Sequence, residues 1–169
     1  AAAMVNLEQA GHLSDVIGCG LALADIRLAQ GRLGEALRVL DRGLALATGQ
    51  GGYVRRGAAD MHVGISGVRL ERGDIAGARQ QLALADDLGE ENGLPQNAYR
   101  SRVALAAIRQ AEGDLAGALE LLTEAEHRYV SDFSPDVRPV AATKARIRVA
   151  QGQVGEAFAW ARERGLSAE

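Results

Sequence analysis

Four stretches of this 169-residue chain align with one another without gaps. They are QGRLGEALRVL at 30–40, RGDIAGARQQL at 72–82, EGDLAGALELL at 112–122 and QGQVGEAFAWA at 151–161. The shared pattern is Gly, any residue, aliphatic, two residues, Ala. The glycines are Gly31, Gly73, Gly113 and Gly152, spaced 42, 40 and 39 apart. A recurrence at this period restricts the chain to repeat architectures, in which each unit buries its apolar face only against its neighbours.

Each position of the pattern has a physical reading. Glycine enters the left-handed conformation that commonly ends a helix without a Cβ penalty. Asp74 and Asp114 directly follow their glycines and are placed to cap the next helix. The aliphatics Leu33, Ile75, Leu115 and Val154 open an apolar face. Ala36, Ala78, Ala118 and Ala157, three residues on, allow close helix approach. Leu40, Leu82 and Leu122 continue that stripe, with Ala161 in the last copy. Upstream of each glycine runs a second stripe: Ile26, Val68, Ile108 and Ile147, with the small residues Ala24, Ser66, Ala106 and Ala145 two positions earlier. The 32 Ala and 21 Leu against two Phe, three Tyr and one Trp fit helices rather than strands.

The expected fold is therefore all-α: a right-handed superhelix, or solenoid, of antiparallel helix pairs with about nine helices. The first and second helices of each pair are termed A and B. The A helices are expected at 13–30, 54–71, 96–112 and 136–150, and the B helices at 33–48, 75–90, 115–130 and 154–164. Pro95 and Pro135 suit a first helical turn. Residues 1–169 read as a single repeat domain. It comprises an orphan B helix within 1–11 and repeats at 12–52, 53–92, 93–131 and 132–169. Stacked A helices usually line a concave surface that binds a partner.

Composition excludes several classes. Nineteen basic against 22 acidic residues leave a net charge of -3, a poor match to a phosphate backbone, so direct nucleic-acid contact is not expected. A lone Cys19 rules out an intrachain disulfide framework. No apolar run is long enough to span a bilayer, and no signal peptide is visible, so a cytoplasmic protein with no membrane partner is expected. Lys144 is the sole lysine, and no P-loop can be written around it. His12, His62 and His127 share no ligand spacing, so no metal and no cofactor are expected.

The turn resembles that of a tetratricopeptide repeat (TPR), in which Gly, an aromatic and Ala join helix A to helix B. Here the period is nearer 40 than 34 and the turn residue is aliphatic. The longer version resembles the sensor region of MalT-like, LuxR-type ATP-dependent transcriptional regulators. The segments that carry this likeness are 11–37, 93–119 and 130–169, and its most specific piece is WARERGLSAE at 160–169. The resemblance implies a non-catalytic sensor and oligomerisation module, lying between an NTPase module and a helix-turn-helix domain. Its effector, a small molecule or a protein, is unknown. The alternative is a free-standing TPR-like adaptor for a peptide or protein. A third reading, an enzyme, has no nameable constellation behind it.

Arg27, Arg69, Arg109 and Arg148 stand four residues before the glycine in all four copies. They are the candidate binding residues, a cationic strip for an anionic ligand or acidic peptide. The competing account pairs each one with a nearby carboxylate or with the carbonyls ending helix A. Cys19 and Trp160 are read as packing residues, and Asp86, Asp87, Glu90 and Glu91 as a solvated face. Because Val154, Ala157, Phe158 and Ala161 line the last B helix without a polar cap, the segment is expected to be internal to a longer protein. Expressed alone, it is expected to self-associate through an exposed end. Light scattering at high concentration checks this, and a monodisperse monomer with polar end faces would contradict it.

Overall fold

In the computed structural model, the structure describes residues 6–7, 9–49, 56–129 and 139–166. These residues form helices and turns, with no strand among them. Eight α-helices follow in order: α1 Leu13–Ala29, α2 Leu33–Ala47, α3 Ala58–Glu71, α4 Ile75–Leu88, α5 Asn97–Ala111, α6 Leu115–Arg128, α7 Val140–Ala150 and α8 Val154–Glu163. A short 3-10 turn, Glu90–Asn92, precedes α5. Of the orphan helix expected before Gly11, only its end lies within the described residues. There the His12 N–H donates to the Leu7 carbonyl at 2.9 Å.

Glycine makes all four expected corners. Gly31, Gly73, Gly113 and Gly152 have φ between 72 and 87°, where an L side chain would be strained. The same pair of hydrogen bonds closes each A helix. The glycine N–H donates to the carbonyl three residues back, and the next N–H reaches five back: Arg32 to Arg27, Asp74 to Arg69, Asp114 to Arg109 and Gln153 to Arg148, at 2.8–3.0 Å. This is a Schellman closure. On the far side of the corner the Asp74 and Asp114 carboxylates accept the Gly77 and Gly117 N–H at 2.8 and 2.9 Å, so both cap helix B as the sequence indicated. This cap and the Arg69 guanidinium hold the Asp74 carboxyl below its ordinary pKa.

The small residues sit where the helices meet. Ala36, Ala78 and Ala118 are fully buried, and Ala157 nearly so. Each apolar core is shared by three helices rather than closed within one hairpin. The first joins Ile17, Leu21, Ala36 and Leu40 to Met61, Ile65 and Val68 of α3. The second joins Val63, Ala78 and Leu82 to Ile108 of α5. The third joins Ala106, Ala118 and Leu122 to Val140 and Ile147 of α7. Successive A helices touch directly, α1 on α3 and α3 on α5, while each B helix also packs on the following A helix. This is the antiparallel pairing and stacking of a TPR-like solenoid.

Three helix starts differ from expectation; the fourth A helix begins at Val140, not 136, with residues 136–138 outside the described ones. The second A helix begins at Ala58, not 54; residues 54 and 55 lie outside the described ones. Gly57 holds φ 100° at its N-cap and donates its N–H to the Asn92 carbonyl at 2.7 Å. A Cβ on Gly57 would lie 2.5 Å from Ile17 Cγ2, so the chain turns there against α1 rather than coiling. Pro95 does not occupy a first helical turn. It lies two residues before α5, whose N-cap is Gln96. Pro135 falls outside the described residues.

The corner account predicts opposite signs for one substitution at two kinds of glycine. Gly73→Ala or Gly113→Ala should cost about 1 kcal/mol, because no atom crowds the site and only the left-handed backbone objects. Gly18→Ala, inside α1 with open space around it, should stabilise by up to about 1 kcal/mol. Urea denaturation of the three variants checks both signs.

Candidate binding surface

Each of the four candidate arginines lies in the last turn of an A helix, and each carbonyl receives the closing bond described above. Their guanidinium groups reach across the corner to the start of helix B in the same hairpin. Arg27 Nε lies 3.3 Å from Glu35 and Arg148 Nε lies 3.0 Å from Glu156. Arg69 Nη1 lies 2.9 Å from Asp74, and Arg109 Nη1 lies 3.6 Å from Asp114. Arg27 also donates to the Gln30 amide. The four side chains are about a quarter to a half exposed, so each keeps N–H groups facing water. The first three ride on helices that touch in series, α1 on α3 on α5.

A polar cluster between the second and third hairpins was not foreseen. Asp60, on α3, is fully buried. Its carboxylate accepts the Leu94 N–H at 2.7 Å and Arg100 Nη1–H at 3.3 Å. Burial pushes the Asp60 pKa up; the Leu94 N–H, the Arg100 charge and the neighbouring Asn97 amide pull the other way. Asn97 Nδ2 itself makes no well-formed hydrogen bond. Around this carboxylate, Arg56 Nε donates to the Gly93 carbonyl at 3.0 Å and Asn92 Nδ2 to the Leu88 carbonyl at 2.6 Å. The loops ahead of α3 and α5 are thus tied together. The signal was present in the sequence: Asp60 and Arg100 both stand thirteen residues before their glycines. Opposite charges at one repeat position meet when the repeats stack. Nearby, His62 Nδ1 lies 2.8 Å from Gln81 Oε1, joining α3 to α4.

Further contacts fix hairpin to hairpin at the surface. Arg79 on α4 forms a bidentate pair with Glu112 at the end of α5. That fork holds the Glu112 carboxyl below its usual pKa and the guanidinium above its own. Lys144 on α7 reaches Glu126 on α6 at 2.7 Å. Below Asn97, a cavity of about 140 Å³ opens between α4, α5 and α6, with Asp86, Ser101, Arg102 and Arg128 on its walls.

The residues weighed in the sequence are placed as follows. Cys19 is half-buried on α1. Trp160 is half-buried on α8, with Nε1 enclosed and without a hydrogen-bond partner. Among the described residues no three His, Cys, Asp or Glu side chains gather as a metal site would require. None of the described helices is long and apolar enough to cross a membrane.

The Asp60 cluster generates a prediction. Asp60→Ala leaves the Leu94 N–H and Arg100 without their buried partner and should lower stability by about 3 kcal/mol. The raised pKa sets the pH dependence. The folded state holds the Asp60 proton more tightly than the unfolded chain, so this residue favours folding most at pH below 3.8. That advantage is lost as pH rises from 3.8 through the raised value. Subtracting an Asp60→Asn unfolding curve from the wild type across that window should show the decline.

A family model described as the MalT-like TPR region matches residues 1–168. No curated protein matches the chain.

Proposed function

The chain belongs to the family of MalT-like TPR regions, and from that premise we propose that it is a regulatory sensor module of a bacterial, LuxR-type transcriptional regulator. It acts in the cytoplasm, binds a small molecule or a protein, and performs no chemistry of its own. The observation that carries this reading is the stack of hairpins itself. Its cores are shared between neighbours and its A helices lie in series, the arrangement that gives repeat proteins an extended recognition surface. A ligand seated across several hairpins alters how they pack on one another, which is how a repeat array reports binding. The buried tie between Asp60 and Arg100 sits at one such junction.

Within this reading the four arginines are the contact strip for an anionic ligand or an acidic peptide. Their partially exposed guanidinium groups support this assignment, since an exposed carboxylate contributes little and is readily exchanged for a ligand's. The adaptor alternative shares the surface and differs in genomic setting. The reading frame on either side separates the two. A P-loop module upstream and a helix-turn-helix downstream are expected; a frame holding only repeats would favour the adaptor.

The strip has its own test. The Arg27→Ala, Arg109→Ala double variant should bind a hexaglutamate peptide several-fold more weakly than the wild type by fluorescence anisotropy. Unchanged affinity with a lowered melting temperature would confine the arginines to their hairpin corners.

A further inference from the structure

Equal repeat positions are filled differently at the first and second junctions between hairpins. Twelve residues before the corner glycine the repeats carry Cys19, Met61, Ser101 and Val140; twelve after it stand Gly43 and Ala85 in the first two. At the first junction Met61 of α3 fills the space over Gly43 of α2. It is fully buried, and a Cβ added to Gly43 would collide with its sulfur. At the second junction the same pair is Ala85 of α4 and Ser101 of α5. Both line the cavity of about 140 Å³ between α4, α5 and α6. A serine is shorter than a methionine, so space that is packed at the first junction is open at the second. Voids of that size are few in protein interiors.

The walls of this cavity carry unpaired polar groups. Ser101 is only 9% exposed, and its hydroxyl makes no hydrogen bond to any described residue; a hydroxyl at that depth calls for a partner. Asp86 of α4 and Arg128 of α6 also line the cavity, and both are exposed. Neither side chain forms an ion pair or hydrogen bond with a described residue. Arg102 lines it too, but its Nε donates to Glu124 at 3.1 Å. Ala85 and Ala98 supply apolar surface between the charges. An anion in this cavity would meet the Asp86 carboxylate, and a cation would meet the Arg128 guanidinium. A molecule carrying both charges satisfies the two at once. Size narrows the choice further. A cavity of about 150 Å³ closes around benzene, a molecule of six heavy atoms, and alanine has the same number.

We propose that the cavity walled by Asp86, Ser101 and Arg128 is a binding site for a small zwitterion, an α-amino acid with a short side chain. The Arg128 guanidinium and the Ser101 hydroxyl donate to its carboxylate, Asp86 accepts from its ammonium group, and its side chain lies against Ala85 and Ala98. The site is separate from the four corner arginines, none of which lines it. The inference rests on the cavity and stands whether or not the regulatory assignment holds.

The test is an amide chemical-shift titration of the isotope-labelled protein with L-alanine. Saturable shifts should centre on Ala98, Ser101 and Arg102, with a Kd of roughly 10 μM to 1 mM. Acetate and methylamine, which carry one charge each, should bind at least about tenfold more weakly. Arg128→Ala and Asp86→Asn should each weaken alanine binding by a similar factor. Both change exposed side chains without a partner among the described residues, so their melting temperatures should match the wild type. Ser101→Met places in the cavity the side chain that fills the first junction. It should abolish binding while the melting temperature holds or rises, and if it fails to fold the two exposed variants still decide. Absence of shifts at these residues up to roughly 20 mM alanine overturns the proposal, as does unchanged affinity in Arg128→Ala or Asp86→Asn. Acetate or methylamine binding there as tightly as alanine also overturns it, since the site would then read a single charge.

Discussion

The molecule depends on one backbone hydrogen bond that closes all four A helices. At the end of each A helix an N–H just beyond a left-handed glycine reaches back five residues to an arginine carbonyl. That bond satisfies a carbonyl that would otherwise end the helix unpaired, and it sets the direction in which the chain leaves. Because the glycine, the aliphatic residue and the alanine keep fixed spacing, each corner delivers helix B to its partner in the same register. The alanine then permits the close approach, and in the first three hairpins the leucine four residues later fills the space beyond it. A side chain at the glycine would strain the turn, and a larger residue at the alanine would push the pair apart.

Fixing the hairpins does not bury them. Every core here draws on two consecutive repeats, so the stability of each hairpin is held in large part by its neighbour. This has two consequences. Polar ties form where hairpins meet, as with Asp60 and Arg100 or Arg79 and Glu112. Apolar side chains at positions that are packed in the preceding hairpins stay exposed on α7 and α8, as with Val149, Val154 and Phe158. Both features belong to the junctions between units, which is also where a bound partner acts on a repeat array.

The hairpins were legible in the sequence because their determinants are local. Gly73, Asp74, Ile75 and Ala78 lie within six residues and state a helix end, a cap, a face and a close contact. Positions set by distant contacts were not legible. The start of α3 is decided by Gly57 meeting Ile17 forty residues away, and the surroundings of Pro95 by the Asp60 carboxylate that accepts the Leu94 N–H. The pairing of Asp60 with Arg100 needed the two repeats to be laid side by side, a comparison of equal positions rather than of neighbours. For the four arginines the repeat positions were legible, and two accounts of their role competed. The structure shows carboxylates beside all four.

Amide hydrogen exchange at the four corners tests the central claim most directly. The N–H groups of Arg32, Asp74, Asp114 and Gln153 lie in exposed turns, where a free amide exchanges at the rate of an unstructured chain. If the closing bonds are the foundation of the fold, these four amides exchange only when their hairpins open, as slowly as amides in the last turn of the A helices. Exchange at unstructured rates, with the helix interiors still protected, would show that the corners do not hold the hairpins together.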